Sequence, residues 1–230
     1  DVIFQVFLKD ECVKKKKIYE ETKTRTIAAA PLDFQVAYRM LFHTVHCAMM
    51  DHWDKLPIKV GINPLSTDWH RLFMSLAEIS TDATDLDYSG WDFSADPFMF
   101  DLLVMFYEIL FDALDPDCTE AQRLCRRFLY SKLKNFLLLI GRTIYRALKG
   151  TVSGYPGTTP DNSLKHLLIT YAAWCRIMSK VNPKLCNFHS FLEDVGLAIY
   201  GDDIVIAISL YASKFFNGLT IPPIVKEFGY

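Results

Sequence analysis

The sequence predicts an α+β fold with an antiparallel sheet flanked by helices, and three observations carry that expectation. Long segments repeat apolar side chains at helical spacing, while the strand-like runs are few, short and scattered, without the regular alternation of a parallel sheet. The run from Leu197 to Ile208 is rich in Ile and Val and is broken only at Gly201-Asp202-Asp203, which reads as two buried strands joined by a tight turn. Phe136 to Ile140 and Thr143 to Leu148, on either side of Gly141-Arg142, read as a second hairpin.

In chain order, Val2 to Leu8 reads as a strand and Lys14-Lys15-Lys16-Lys17 as an exposed loop. A long helix is expected from Asp33 to Met50, where Val36, Met40, Leu41, Val45 and Met49 recur at helical spacing. Its His43, His46, Cys47 and His52 have no second ligand cluster to complete a zinc site and are read as helix packing. Pro64 to Glu78 reads as a second helix with Ser66 or Thr67 as its cap, and Ala83 to Tyr88 as a short strand. Asp96-Pro97 sets a sharp helix start, cap then proline, and Phe98 to Leu114 supplies an apolar face. Thr119 with Gln122 is a capping-box signature for a helix reaching Lys134. Past the hairpin, a glycine-rich loop over 150–157 leads into a helix from Pro160 to Ser179, and residues 223–230 read as a helix running into a strand. No internal repeat or low-complexity linker divides the chain.

With 51% hydrophobic and 14% aromatic residues among 230, the chain can bury a sizeable core. It opens on Asp and reads as a piece of something longer; it shows neither a signal peptide nor an apolar stretch of bilayer length, so a soluble protein is expected. Six cysteines without a C-x-x-C pair suggest reduced core thiols and a cytosolic compartment. The net charge of −2 is unevenly spread: Lys9, Lys14 to Lys17, Lys23 and Arg25 crowd the start, and carboxylates gather at 82–96. A basic arm with an acidic centre suits a polyanion handled with metal ions, although the lysine run also fits an ordinary solvated loop.

Folding alone gives no reason for Asp202 and Asp203 to stand together inside an apolar run. Adjacent carboxylates repel, and a hard cation such as Mg²⁺ relieves that repulsion; a solvated acidic turn is the plainer alternative. Asp87 ends a predicted strand and Asp92 follows a glycine turn, so Asp87 can face the hairpin from a neighbouring strand about 5 Å away. Three carboxylates on two strands suit two Mg²⁺ ions in phosphoryl transfer. Asp85, Asp87, Ser89, Gly90 and Asp96 nearly trace a calcium loop, but a strand precedes it, Asp92 takes the eighth place and Asp96 the twelfth, which disfavours an EF-hand. In the loop Gly150 to Thr159, three glycines permit close backbone approach to a ligand, and Asn162 lies one helical turn after Thr158.

Together, Asp87-x-x-x-x-Asp92, Ser153-Gly-x-x-Gly-Thr158-x-x-x-Asn162 and Tyr200-Gly-Asp-Asp203 resemble motifs A, B and C, in order, of the right-hand-shaped RNA-dependent RNA polymerases of positive-strand RNA viruses, most closely the picornavirus-like and calicivirus-like groups. Lys9-Asp10-Glu11 and Lys23-Thr24-Arg25-Thr26-Ile27 resemble motif F, and Gly61-Ile62-Asn63-Pro64 with Asp68-Trp69 the stretch before motif A. The resemblance implies a polymerase palm with part of the fingers: residues 1–45 fingers with motif F, 46–134 the first part of the palm, 135–150 a fingers hairpin, and 151–230 the second part of the palm with the start of motif D. It implies that Asp87, Asp202 and Asp203 are catalytic and, with the Tyr88 carbonyl, hold two Mg²⁺, for which Mn²⁺ can substitute. Asp92, Ser153, Gly154, Thr158 and Asn162 would bind the nucleotide and read its ribose 2′-hydroxyl; Lys17, Lys23 and Arg25 would hold the triphosphate.

The implied partners are an RNA template and primer, ribonucleoside triphosphates and other viral replication proteins, in replication complexes of the host cytoplasm, with no membrane span. The thumb, motif E and the motif D lysine lie outside 1–230, so the fragment alone is expected to be inactive. A reverse transcriptase-like polymerase is the nearest enzymatic rival. Such enzymes carry a bulky aromatic gate where this chain has Asp92, which can instead accept a bond from a ribose hydroxyl. The non-enzymatic alternative is a divalent-metal or RNA-binding module without turnover.

Overall fold

The computed structural model describes residues 1–20, 24–88 and 90–230, with the backbone alone at Lys17. The chain forms two compact units, residues 1–42 with 92–158 and residues 43–91 with 159–230. Residues 92–134 pack with the N-terminal residues in this division.

The first unit is built on a four-stranded sheet, β1 (Ile3–Leu8), β2 (Thr26–Ala29), β4 (Leu137–Ile140) and β5 (Thr143–Arg146), ordered β2-β1-β4-β5. The expected 136–148 hairpin is there, and β1 pairs parallel to β4 through Ile3↔Leu137 to Gln5↔Leu139. Lys16–Tyr19 form a single helical turn, α1, where the lysine run reads as a loop. Helix α2 (Leu32–Asp51) matches its expected extent. Of the apolar stripe read from sequence, Val45 and Met49 are buried while Val36 is 48% and Met40 81% exposed; over the first half of the helix Phe34, Tyr38 and Phe42 are buried instead. Both stripes have helical spacing; the aromatic one wins because each ring removes more apolar surface from water. Tyr38 and Phe42 stack at 4.6 Å, Tyr107 and Tyr130 close around Phe42, and the Tyr38 and Tyr130 hydroxyls meet at 3.1 Å.

After the one-turn α4 (Trp91–Ser94), α5 (Pro97–Leu114) starts where Asp96 accepts from the Phe98 amide at 2.8 Å. Helix α6 (Glu120–Lys134) starts with the full Thr119–Gln122 capping box. Arg126, buried against the Phe111 ring at 4.0 Å, ties the two helices together.

The second unit holds a three-stranded antiparallel sheet, β3 (Ala83–Leu86), β7 (Asp203–Ile208) and β6 (Val195–Tyr200), in that order. Alternation puts Leu197, Ile199, Ile204 and Ile206 on a buried face, while Gly196 and Ala207 face the end of α3 (Asp68–Ala77). The helix expected from Pro64 starts only at Asp68, because the Asn63 side chain accepts from the Leu65 amide and Ser66 Oγ accepts from the Asp68 amide, holding a turn. Helix α7 (Thr158–Met178) buries every residue from Pro160 to His166, and its Trp174 packs on Phe191 and Phe216. Phe191 belongs to α8 (Phe188–Asp194). The last helix, α9 (Ile221–Glu227), ends in a turn at Gly229 (φ +92°), not in the expected strand. All six cysteines are free, two exposed and four half-buried, so they are not the core thiols expected. Among the described residues no helix is long and apolar enough to cross a membrane.

Candidate active site

Strands β6 and β7 pair from Val195↔Ile208 to Tyr200↔Asp203, leaving Gly201-Asp202 as a two-residue turn. Gly201 sits at φ +68°, in the left-handed region that such a turn requires and that glycine enters without a Cβ penalty. Strand β3 pairs with β7 up to Leu86↔Ile204, so Asp87 is the next residue out, level with Asp203. Asp87, Asp202 and Asp203 are all exposed at this end of the sheet. Partial burial, then the charges of Asp202 and Asp87, raise the Asp203 carboxyl above the usual carboxylate range. The three expected carboxylates therefore share one electrostatic neighbourhood.

The donor set suits a hard divalent cation, being carboxylate oxygens in mutual repulsion that a cation relieves. It is an open arrangement: among the described residues no three His, Cys, Asp or Glu side chains close into a metal-holding group. Asp85, Asp87, Tyr200, Asp203, Lys59 and Trp69 line a cleft of about 530 Å³ beside it.

The backbone around the carboxylates is fixed from several sides. On the free edge of β6, the Ile199 amide donates to Pro57 O at 3.0 Å and the Lys59 amide donates to Ile199 O at 2.8 Å. The Lys59 ammonium donates to the carbonyls of Leu56 at 2.6 Å and Trp53 at 3.1 Å, and burial lowers its pKa to about 8. From α7, Ser163 Oγ accepts the Gly201 amide at 2.8 Å. Behind Asp87, the Tyr88 ring meets His166 edge-on at 4.8 Å and Trp91 at 4.9 Å. Burial pushes the Tyr88 phenol up and the His166 imidazole down to about 4, the Gly201 backbone partly offsetting the latter.

In the first unit, the glycine loop packs on β2. Ser153 Oγ accepts from the Ala28 amide at 3.3 Å, and the Ala30 amide donates to Gly154 O at 2.9 Å. Thr158 Oγ1 donates to Tyr155 O at 2.8 Å, closing its own loop. Asp92, on α4, accepts the Thr151 amide through its backbone carbonyl at 2.7 Å, beside Gly150. Arg25 lies 3.7 Å from Glu11, which also pairs with Lys9 at 3.0 Å. Lys23, Ser89 and the Lys17 side chain lie outside the described residues. Asn162 belongs to the second unit, buried, with its Oδ1 unpartnered among the described residues.

Sequence reasoning missed Ser163, His166 and Lys59. The one available signal was a serine inside a helix where its neighbours are buried, since such a hydroxyl needs a partner.

The whole chain, residues 1–230, matches the family model for viral RNA-dependent RNA polymerase. It is 31% identical over 218 residues to the RNA1 polyprotein of Broad bean wilt virus 1, covering 92% of this chain and 11% of that polyprotein. To the replicase polyprotein of Drosophila C virus it is 30% identical over 233 residues, covering 99% of this chain and 13% of that one. Among solved structures it resembles the Sicinivirus 3Dpol RNA-dependent RNA polymerase, with a TM-score of 0.76, 22% identity, and coverage of 99% of this chain and 44% of that one. That last likeness bears on the fold: mixed helix and antiparallel sheet, as expected for a polymerase palm.

Proposed function

The chain belongs to the viral RNA-dependent RNA polymerase family, and from that premise we propose that the protein carrying it copies an RNA template by adding ribonucleotides to an RNA 3′-hydroxyl. The observation that supports this most is the juxtaposition of Asp87 with Asp202 and Asp203 at neighbouring strand ends, close enough for their charges to raise the Asp203 carboxyl. On this reading residues 46–134 and 151–230 are palm, and residues 1–45 with the hairpin 135–150 are fingers.

Asp87, Asp202 and Asp203, with the Tyr88 carbonyl, would hold two Mg²⁺ or Mn²⁺ ions. When bound, such ions lower the pKa of an attacking hydroxyl and neutralise charge on the departing pyrophosphate. The chain's own part is to hold those oxygens on a sheet end whose backbone is hydrogen-bonded at Ile199 and Gly201, so that the field is in place before the substrate arrives. Arg25, with Lys17 and Lys23, would neutralise the triphosphate. Asp92, Ser153, Gly154, Thr158 and Asn162 carry over from the motif matches as the residues that bind the nucleotide and read its 2′-hydroxyl. This reading implies an RNA template and primer, other viral replication proteins, and cytoplasmic replication complexes in the host. Residues 1–230 by themselves are not expected to polymerise processively.

The test is primer extension by the full-length protein carrying Asp202→Asn or Asp87→Asn. Each substitution keeps the shape and removes one charge, and extension is expected to be abolished. Either variant within about tenfold of wild type, a difference of only about 1.4 kcal/mol in the barrier, would refute the metal assignment.

A further inference from the structure

A two-residue hairpin turn leaves the amide of its first residue without a cross-strand partner, and at Gly201 that amide is buried. Its partner comes from 38 positions away: Ser163 Oγ, on α7, accepts it at 2.8 Å. The serine hydroxyl has one proton, which it donates to Thr159 O, one helical turn back, at 2.8 Å. With the proton committed there, a lone pair faces the turn, so the direction of the bond is fixed by the helix. Ser163 is completely buried, which bars water from taking its place.

One turn further along the same helix, His166 packs edge-on against Tyr88, the residue after Asp87. A single face of α7 therefore touches the residue before Asp202 and the residue after Asp87. We propose that Ser163 is a positioning residue: through the Gly201 amide it fixes where Asp202 stands relative to Asp87, with the ring of His166 bracing the other acidic strand end. The inference rests on the polymerase reading for its catalytic consequence, but the hydrogen bond itself can be tested without activity.

The experiment compares Ser163→Ala and Ser163→Thr in the full-length protein, both checked by thermal melting. Amide exchange is measured over residues 198–203, Mn²⁺ binding by electron paramagnetic resonance, and nucleotide addition as separate kcat and KM. Ser163→Ala is expected to speed exchange at Gly201 tenfold or more, weaken Mn²⁺ binding, and lower kcat tenfold or more with KM for the nucleotide within twofold. Ser163→Thr, which restores a hydroxyl, is expected to recover the protection and bring kcat within threefold of wild type. A folded Ser163→Ala with Gly201 still protected, or with kcat within threefold of wild type, overturns the proposal. So does a folded Ser163→Thr that behaves like the alanine variant. If Ser163→Ala does not fold, Ser163→Cys, with only a weak sulfur acceptor, is held to the same criteria. A wild-type protein that extends no primer, while Ser163→Ala still unprotects Gly201, would refute the polymerase reading and leave the clamp standing.

Discussion

Replacing Gly154 by alanine asks how tightly the glycine loop is seated. A Cβ there would stand 2.4 Å from Ala28 O, 2.8 Å from Ala29 Cα and 2.9 Å from Ala28 C, all backbone atoms that cannot swing aside. The loop or β2 has to retreat by about 1 Å to restore an ordinary separation of about 3.5 Å. That retreat breaks the Ala30-to-Gly154 hydrogen bond of 2.9 Å and stretches the Ala28-to-Ser153 bond of 3.3 Å. Overpacking costs about 1–3 kcal/mol and a lost hydrogen bond about 1 kcal/mol, so the expected destabilisation is about 2–4 kcal/mol. Gly141→Ala serves as the control, since Gly141 sits at φ +62° and among the described residues a Cβ there would meet nothing within 4 Å. It should lose only the left-handed strain of about 1–2 kcal/mol. In thermal melts, at about 2–4 °C per kcal/mol for a domain of this size, Gly154→Ala should fall by about 4–16 °C and Gly141→Ala by clearly less. A Gly154→Ala variant melting within about 2 °C of wild type, or above Gly141→Ala, would show that the loop is not packed as described.

Lys59, with its pKa lowered to about 8 from 10.5, binds its proton less tightly folded than unfolded, so its contribution to stability rises with pH between those values. The stability difference between wild type and Lys59→Met should therefore shift towards wild type by on the order of 1–2 kcal/mol from pH 7 to pH 10, a figure discounted for solvent screening; a difference flat with pH in denaturant titrations would contradict it. Asp92→Ala and Asn162→Ala should narrow the ratio of ribonucleotide to deoxyribonucleotide incorporation, because a site that bonds a hydroxyl is the one that rejects its absence; an unchanged ratio in both variants removes the sugar-reading role.

What could be read from the sequence was what acts over short range. The Asp96 cap and the Thr119–Gln122 box are bonds closed within three residues, and both stand where expected. The acidic hairpin was legible because two charges interrupt an Ile- and Val-rich run that has no use for them. Strand β2 was not, since Thr26–Ala29 is short and becomes a strand by pairing with β1. The buried face of α2 was legible in its second half, at Val45 and Met49, but not in its first half, where apolar residues occupy both sides of the helix and only the facing rings of α5 and α6 choose Tyr38 and Phe42 over Met40. Ser163 shows the limit at the site itself, as its partner lies 38 residues on and nothing in the intervening sequence announces the pairing.

The acidic sheet end sets backbone order against side-chain repulsion. The Ile199 amide donating to Pro57 O, the Lys59 amide donating to Ile199 O and the Gly201 amide donating to Ser163 Oγ, with the ladder to β3, fix the main chain on which Asp202 and Asp203 sit. The carboxylates gain nothing from that order while they face one another. Since burial, and then like charge, raise the Asp203 pKa, the folded chain holds that proton more tightly than the unfolded chain does. Stability from this group is present at low pH and falls as the pH rises through the carboxylate range. The Asp202→Asn variant proposed above removes one of those repelling charges and leaves each of those backbone bonds intact. It should thus melt no lower than wild type at pH 7 while losing extension. A variant that loses both together would mean that Asp202 supports the fold, and that its repulsion with Asp203 and Asp87 is already relieved by some protein group.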